Sequence, residues 1–434
     1  MAIMKGYGVI EPTVSWGWME KEIPEPGPFE ALCSPVAVLP CTSDVHSAHF
    51  RNAWPNRILG HEGVGRVEKV GAMVTDIHVG DIVAVPAVTP IWRGRQIAEG
   101  LHEHTGGFLG GRYLSSKLDG TFGEYFIIPD ADMNLAVVPN GVSIKAAGLV
   151  GDMVTTGFSG VEGANIQFGD TVVVIGIGPV GLMSVAGAAI RGAGRLIAVG
   201  HRELTKELAK KYGATDVVDY KDGDIVAQIM ELTNNEKVDR VIIAGGTEST
   251  INDAYRMVKC GGNISNVAGY DFSKEFHLTV ADAGCLVNHV TLTGRLCAGG
   301  RYRLENLMAL IKNGRLDPTL LITHELHGFD KIEDAIACNG LTQAREKYII
   351  LLPRLGYRSM GRGEVLSKSI ESHRTNGYKT LFAPLAIDMN ESLLRMHIAQ
   401  LEMAQLTHTQ ATTIEHLYDG SIAESVVFAI VYRL

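Results

Sequence analysis

Little in this chain takes it outside the ordinary globular class. Its 434 residues hold six cysteines, Cys33, Cys41, Cys260, Cys285, Cys297 and Cys338, and none stands at a paired spacing. A disulfide framework is therefore excluded, and a reducing, cytoplasmic compartment is expected. The N-terminal MAIMKGYGVI has no basic stretch followed by an apolar run, so no secretory signal is expected. A formal net charge of -9 removes the basis for general binding to nucleic acid or an anionic membrane. Low-complexity tracts and internal repeats are absent. One uncharged run, 171–190, is about long enough to span a bilayer. Its three glycines and preceding strand signal argue against a membrane helix.

That run dominates the rest. Residues 171–175, TVVVI, are β-branched and aliphatic, as a buried parallel strand requires. Gly176, Gly178 and Gly181 follow as G-x-G-x-x-G, with Pro179 and Val180 inside the motif. The first glycine permits a tight turn, the second lets backbone approach a pyrophosphate, and the third lets helix pack on strand. Pro179 suits a first helical turn, and the free N–H groups there attract phosphate. A second strand, 196–199, completes a β-α-β unit that binds a dinucleotide. An acidic residue about 20 positions past the glycines would hold the ribose of NAD. Gly200, His201 and Arg202 stand there instead. Glycine leaves room, and Arg202 offers a planar fork to a 2′-phosphate, so NADP is favoured over NAD. Arg202 as a solvated loop charge is the alternative.

Before 171 the pattern is one of short β segments, including 31–39, 65–70 and 81–85, with turns at Gly71, Gly80, Pro86 and Pro90. From 171 to 292 strands alternate with helices. Further strands are expected at 217–220, 240–244, 263–268 and 289–293, with helices at 203–212 and 223–232. The alternation implies a parallel sheet covered on both faces. Helices at 301–313 and 331–338 and a strand at 347–352 follow.

Four side chains offer metal chemistry: Cys41 in PCTSDVH, His61 and Glu62 in GHEGVG, and Asp152 in GDMVTTG. Cysteine, histidine and carboxylate make a three-ligand zinc site with one open position, if the fold brings them together. Singly, each also reads as structural: Cys41 as a small buried hydrophobe, His61 as a bonded core histidine, Asp152 as a helix N-cap.

GHEGVGRVEKVG, followed by GDIV and GIGPVG, resembles the zinc-dependent medium-chain alcohol dehydrogenases. PCTSDVH, PDADMNLA, DMVTTGF, VVVIGIGPVGLM and HGFDKIEDA resemble their bacterial NADP-dependent secondary-alcohol (isopropanol) branch over residues 4–353. The resemblance implies an α/β fold: a GroES-like β-rich catalytic domain plus a doubly wound Rossmann domain. Its expected limits are 1–152 for the first catalytic part, 153–295 for the NADP-binding domain and 296–353 for the return. Residues 354–434 form a C-terminal extension without an assigned role. It further implies one catalytic zinc on Cys41, His61 and Asp152, with Glu62 an additional, exchangeable ligand. Ser43 and His46 match the proton relay. Gly200, His201, Arg202 and Tyr220 match the 2′-phosphate pocket, His201 standing where relatives carry serine. Small secondary alcohols and ketones are the expected substrates, and a homotetramer the expected assembly.

Two departures qualify the resemblance. Many relatives hold a structural zinc with four cysteines in a lobe matching 86–120, where this chain has none. One zinc per chain and no structural zinc are therefore expected, with His102 and His104 as solvated loop residues. Ala87, Leu296 and Cys297 match the substrate pocket, but Arg112 replaces a tryptophan there, which leaves the preferred alcohol open. A zinc-free enone or quinone reductase on this fold would lack the ligand set. A catalytically silent NADPH-binding protein would lose Cys41, Ser43 or His46. In the extension, Asp388 and Glu391 read as a capping signal, Leu394, Ile398 and Leu401 as one helical face, and 426–432 as a strand.

Overall fold

The computed structural model describes residues 2–49, 54–270, 274–341 and 347–352. Expectations for 354–434 lie outside these residues.

Six strands from the middle of the chain form one parallel sheet. Their spatial order is Asp216–Val218, Arg195–Val199, Thr171–Ile175, Val238–Ile243, Val258–Asn266 and Thr291–Gly294. Numbered by chain position this is 3-2-1-4-5-6, and the winding reverses between Thr171–Ile175 and Val238–Ile243. Crevices at such reversals, beyond the carboxyl ends of the strands, take ligands. Thr171–Ile175 is apolar on both faces because both are covered. Val172 and Val174 pack with Val161, Leu182 and Val185, from helices Thr155–Ala164 and Pro179–Arg191. Val173 and Ile175 pack with Ile229 and Ile251, from helices Ile225–Leu232 and Ser249–Met257. Each such side chain contributes about 1.5–3 kcal/mol by leaving water.

The uncharged run 171–190 is thus a strand, a turn and most of one helix. Among the described residues, no helix is long and apolar enough to cross a membrane.

The earlier segments build an antiparallel hairpin, Ile3–Glu11 with Ser15–Glu22, and a separate seven-stranded sheet. In that sheet Ala31–Val38 lies between Gly63–Val70 and Lys347–Leu351. The last strand pairs antiparallel with it, Ile350 opposite Val38 and Leu351 opposite Ala37. Chain leaving the parallel sheet therefore returns to the sheet built first. This return carries Lys347 beneath the residues that precede Gly63.

A helical run from 144 to 164 was not expected from the sequence. It begins at Ser143, whose hydroxyl accepts the Ala146 N–H at 3.2 Å. Between Ile144–Leu149 and Thr155–Ala164 it widens into a π turn at Val150–Val154.

Candidate functional site

The donor atoms of Cys41, His61, Glu62 and Asp152 all lie within 4.8 Å of one another. Cys41 leads into helix Thr42–His49, His61 and Glu62 lead into strand Gly63–Val70, and Asp152 sits in the π turn. Asp152 is therefore no helix N-cap. Single π turns often mark functional positions. Here the backbone around Asp152 is clasped from outside. The Ala87 N–H donates to the Gly151 carbonyl at 3.0 Å, and a Cβ on Gly151 would lie 2.0 Å from the Val85 carbonyl oxygen.

Asp44, absent from the sequence-based candidates, organises the cluster. Its Oδ1 lies 2.9 Å from His61 Nδ1 and accepts the Gly60 N–H at 3.2 Å. Its Oδ2 accepts the Cys41 N–H at 3.0 Å. One buried carboxylate thus joins both ligand loops and turns His61 Nε2 inward, the usual outer partner of a metal-binding histidine. Nε2 lies 3.2 Å from Ser43 Oγ and 3.4 Å from Asp152 Oδ2. Thr156 donates to Asp152 Oδ1 at 3.0 Å.

Burial alone would lower the His61 pKa. The Asp44 charge and hydrogen bonds to Asp152, Asp44 and Cys41 outweigh it and raise the pKa well above the ordinary value. Burial would raise the Asp152 pKa, but the His61 hydrogen bond and charge, Lys347 and Thr156 pull it below the carboxylate range. The cluster favours positive charge at its centre.

Lys347 is the second residue that sequence reasoning missed. Its Nζ pairs with Glu62 Oε1 and donates to the Pro40 carbonyl at 3.4 Å, with both charged groups buried. Burial works against its charge, and the Glu62 carboxylate more than restores it. Glu62 Oε2 is buried with no hydrogen-bond partner among the described residues. An unsatisfied carboxylate oxygen beside a thiol, an imidazole and a second carboxylate suits a zinc ion.

The glycine turn has the geometry that dinucleotide binding requires. Gly176 has φ +88°, and a Cβ there would meet the Gly245 backbone at 2.7 Å. Gly178 faces open space within 4 Å. A Cβ on Gly181 would lie 1.8 Å from the Gly176 carbonyl oxygen, so only glycine lets the helix approach. Pro179 and Val180 open helix Pro179–Arg191. A Cβ on Gly200 would fall 2.1 Å from Ile177 Cγ1, so bulk at Gly200 would press on the turn itself. Arg202 is the N-cap residue of helix Glu203–Lys211, and the His201 and Tyr220 ring centroids lie 5.7 Å apart.

The two sites share a helix contact. A Cβ on Gly157 would meet Met183 Cβ at 2.6 Å and the Val180 carbonyl oxygen at 2.7 Å. The helix continuing from Asp152 therefore packs tightly on the helix that starts at the glycine turn. A zinc-binding dehydrogenase family model matches residues 179–313, and an alcohol dehydrogenase GroES-like domain model matches residues 27–140. The NADP-dependent isopropanol dehydrogenase of Thermoanaerobacter brockii is 50% identical over 335 residues, covering 76% of this chain and 95% of that relative. The chain belongs to the zinc-binding alcohol dehydrogenases. The NADP-dependent isopropanol dehydrogenase of Clostridium beijerinckii is 48% identical over 336 residues, covering 77% of this chain and 95% of its own. A solved alcohol dehydrogenase from Thermus sp. ATN1 matches with a TM-score of 0.70 at 26% identity, covering 81% of this chain and 100% of that one.

In this dehydrogenase Ala87, Val88 and Cys297 form a small buried cluster with Leu296 against it. Cys297 Sγ donates to the Gly151 carbonyl at 3.6 Å, and burial pushes its thiol pKa up. Arg112 reaches the same place. The Thr89 N–H donates to the Gly111 carbonyl at 2.9 Å, and the Arg112 charge is felt at Cys297. Arg112 is half-buried and has no ion-pair partner among the described residues.

His102 and His104 are not the solvated loop residues expected. Both are half-buried. His102 stacks on Trp92, with centroids 5.2 Å apart, and its Nε2 accepts the Gly299 N–H at 3.1 Å. His104 Nδ1 accepts the Leu109 N–H at 3.4 Å, and its ring stacks on Phe108. These rings hold the lobe inward, a role their spacing did not signal.

Proposed function

We propose that the chain is a zinc-dependent oxidoreductase that interconverts small secondary alcohols and ketones, and some aldehydes, with NADP(H). One observation carries this reading: the helix holding Asp152 packs through Gly157 on the helix of the glycine turn, so the metal donors and the dinucleotide turn share one scaffold. The similarity to two NADP-dependent isopropanol dehydrogenases supports it.

Cys41, His61 and Asp152 hold the ion, with Glu62 an additional ligand. Bound there, zinc supplies Lewis acidity toward the alcohol oxygen, and the nicotinamide supplies the hydride acceptor. Ser43, 3.2 Å from His61 Nε2, receives the hydroxyl proton. His46 lies one helical turn further on, is exposed, and discharges that proton to water. Gly176, Gly178, Pro179, Val180 and Gly181 bind the pyrophosphate through backbone. Gly200, His201, Arg202 and Tyr220 receive the 2′-phosphate. Ala87, Leu296 and Cys297 leave apolar room for both alkyl arms of a ketone, with Arg112 at the edge.

The working unit is a cytoplasmic homotetramer of chains organised as 1–152, 153–295, 296–353 and 354–434. Two features support this. The five described cysteines are free thiols. The edge strand Thr291–Gly294 and the segment before it leave Leu292 44%, Val287 74% and Leu286 76% exposed, which favours burial against another chain.

The test is NADPH oxidation with butan-2-one by the full chain, together with elemental analysis. About one zinc per chain and turnover that chelation abolishes support the reading. Full turnover in Cys41→Ser would overturn it.

A further inference from the structure

The chain from 297 to 300 is held from two sides. On one side is the π turn that carries Asp152. Cys297 Sγ donates to the Gly151 carbonyl at 3.6 Å, and Thr155 Oγ1 donates to the Ala298 carbonyl at 2.7 Å. Arg303 extends the grip: its Nε donates to Thr155 Oγ1 at 3.1 Å and its Nη2 to the Thr155 carbonyl at 3.3 Å. Gly151 and Thr155 flank Asp152, so one segment holds the backbone on both sides of a metal donor.

On the other side is the lobe 86–120. A Cβ on Gly299 would lie 2.1 Å from the Val88 carbonyl oxygen, and one on Gly300, with φ +96°, 2.5 Å from Trp92 Cζ2. Trp92 is fixed in turn. Its backbone N–H donates to Asp130 Oδ2 at 2.7 Å and its indole N–H to Asn134 Oδ1 at 2.8 Å. The His102 ring stacks on that indole, and its Nε2 accepts the Gly299 N–H at 3.1 Å. Gly299 is buried, so leaving its N–H without an acceptor is costly.

Only a ring with a lone pair at Nε2 accepts this bond, and in the neutral ring the hydrogen is then on Nδ1. Nδ1 lies 3.4 Å from Glu103 Oε2. Burial lowers the His102 pKa, and the Arg303 and His104 charges add to this against the pull of Glu103, so the accepting form prevails at neutral pH. Arg93 and Asp130, beyond Trp92, pair with each other at 2.6 Å.

We infer that His102 is a positioning residue for the metal cluster: by accepting the Gly299 N–H it keeps 297–299 against the π turn and so fixes the direction of Asp152. The inference rests on the reading that Cys41, His61, Glu62 and Asp152 hold zinc.

Two substitutions separate the parts of the ring's role. His102→Phe keeps a ring on Trp92 but offers no acceptor. His102→Gln keeps an acceptor that does not titrate. Zinc titration of the zinc-depleted full chain at pH 7, against a competing chelator, should show His102→Phe weakened about fivefold to tenfold, as loss of one hydrogen bond would do. His102→Gln should stay within about twofold of the parent. A role in folding alone would lower the unfolding stability of His102→Phe and leave its zinc affinity unchanged, which would overturn the inference. So would equal weakening in both variants. Hydrogen exchange of the metal-free chain adds a measurement that does not depend on whether His102→Phe folds. From pH 7 to pH 5, amide protection across 297–303, corrected for intrinsic exchange, should fall in the parent as the ring takes up a proton, and hold in His102→Gln. Equal profiles would overturn the inference. A parent that binds no zinc, or binds it equally well after Cys41→Ser, would defeat the metal reading itself, a failure that leaves the exchange result intact.

Discussion

Lys347 and Glu62 are 285 residues apart in the chain and form a buried ion pair at the base of the metal cluster. Removing one member leaves the other charge stranded. Lys347→Met should destabilise the metal-free chain by about 3–5 kcal/mol. Lys347→Met with Glu62→Gln should recover much of that, because neither charge is then left alone. Denaturant unfolding of the three proteins checks this, and equal stability of the single and double variants would contradict it.

If His61 holds zinc as proposed, zinc and a proton compete for its ring. Its raised pKa stabilises the metal-free fold fully below the unfolded value of about 6.5, and that contribution is lost as pH rises through the folded pKa. Metal binding needs the ring neutral. Zinc affinity should therefore increase from pH 6 to pH 8, with proton release on binding. Calorimetry in buffers of different ionisation enthalpy measures that release. Asp44→Asn should reduce both the release and the affinity, the latter by 10–100-fold.

Cofactor preference should respond unequally to two substitutions. Arg202→Ala should raise the NADP Michaelis constant far more than the NAD one, since only NADP loses a charge-assisted contact. Gly200→Asp would move preference toward NAD by sequence logic alone. The 2.1 Å approach to Ile177 predicts instead that this variant weakens both cofactors. Adding Ile177→Ala should uncover the shift toward NAD.

We propose that Arg112 sets the substrate range. As a half-buried cation without an ion-pair partner among the described residues, it favours an anionic arm on the substrate unless its head turns to water. Comparison of kcat/KM for butan-2-one, butanal and a keto acid separates the cases. Preference for the ketone over butanal supports the secondary-alcohol reading. A strong keto-acid preference lost in Arg112→Trp would assign anionic recognition to this one residue.

Much of this was legible in the sequence where local chemistry dictates local form. TVVVI and the three glycines fix strand, turn and helix within a few residues, so Thr171–Ile175 and Pro179–Arg191 fall where expected. Cys41, His61, Glu62 and Asp152 were legible as donors by their type. Their supports were not. Asp44 reads as one acidic residue in PCTSDVH, and Lys347 as the polar first residue of a strand. Lys347 gains its role from Glu62, 285 residues away, and Asp44 from His61, 17 residues on. The π turn was hidden for another reason: the Val85 carbonyl and the Ala87 N–H that meet it at Gly151 lie outside the local run VGDMV.

The pairing of Lys347–Leu351 with Ala31–Val38 also has a consequence for biosynthesis. Every donor of the cluster has been translated by residue 152, but the lysine that offsets Glu62 arrives about 200 residues later, on the order of 10–40 s at ordinary elongation rates. A nascent chain would carry its acidic donors for that interval without their internal counter-charge. Closure of the pocket around Glu62 therefore awaits synthesis of the segment that carries Lys347.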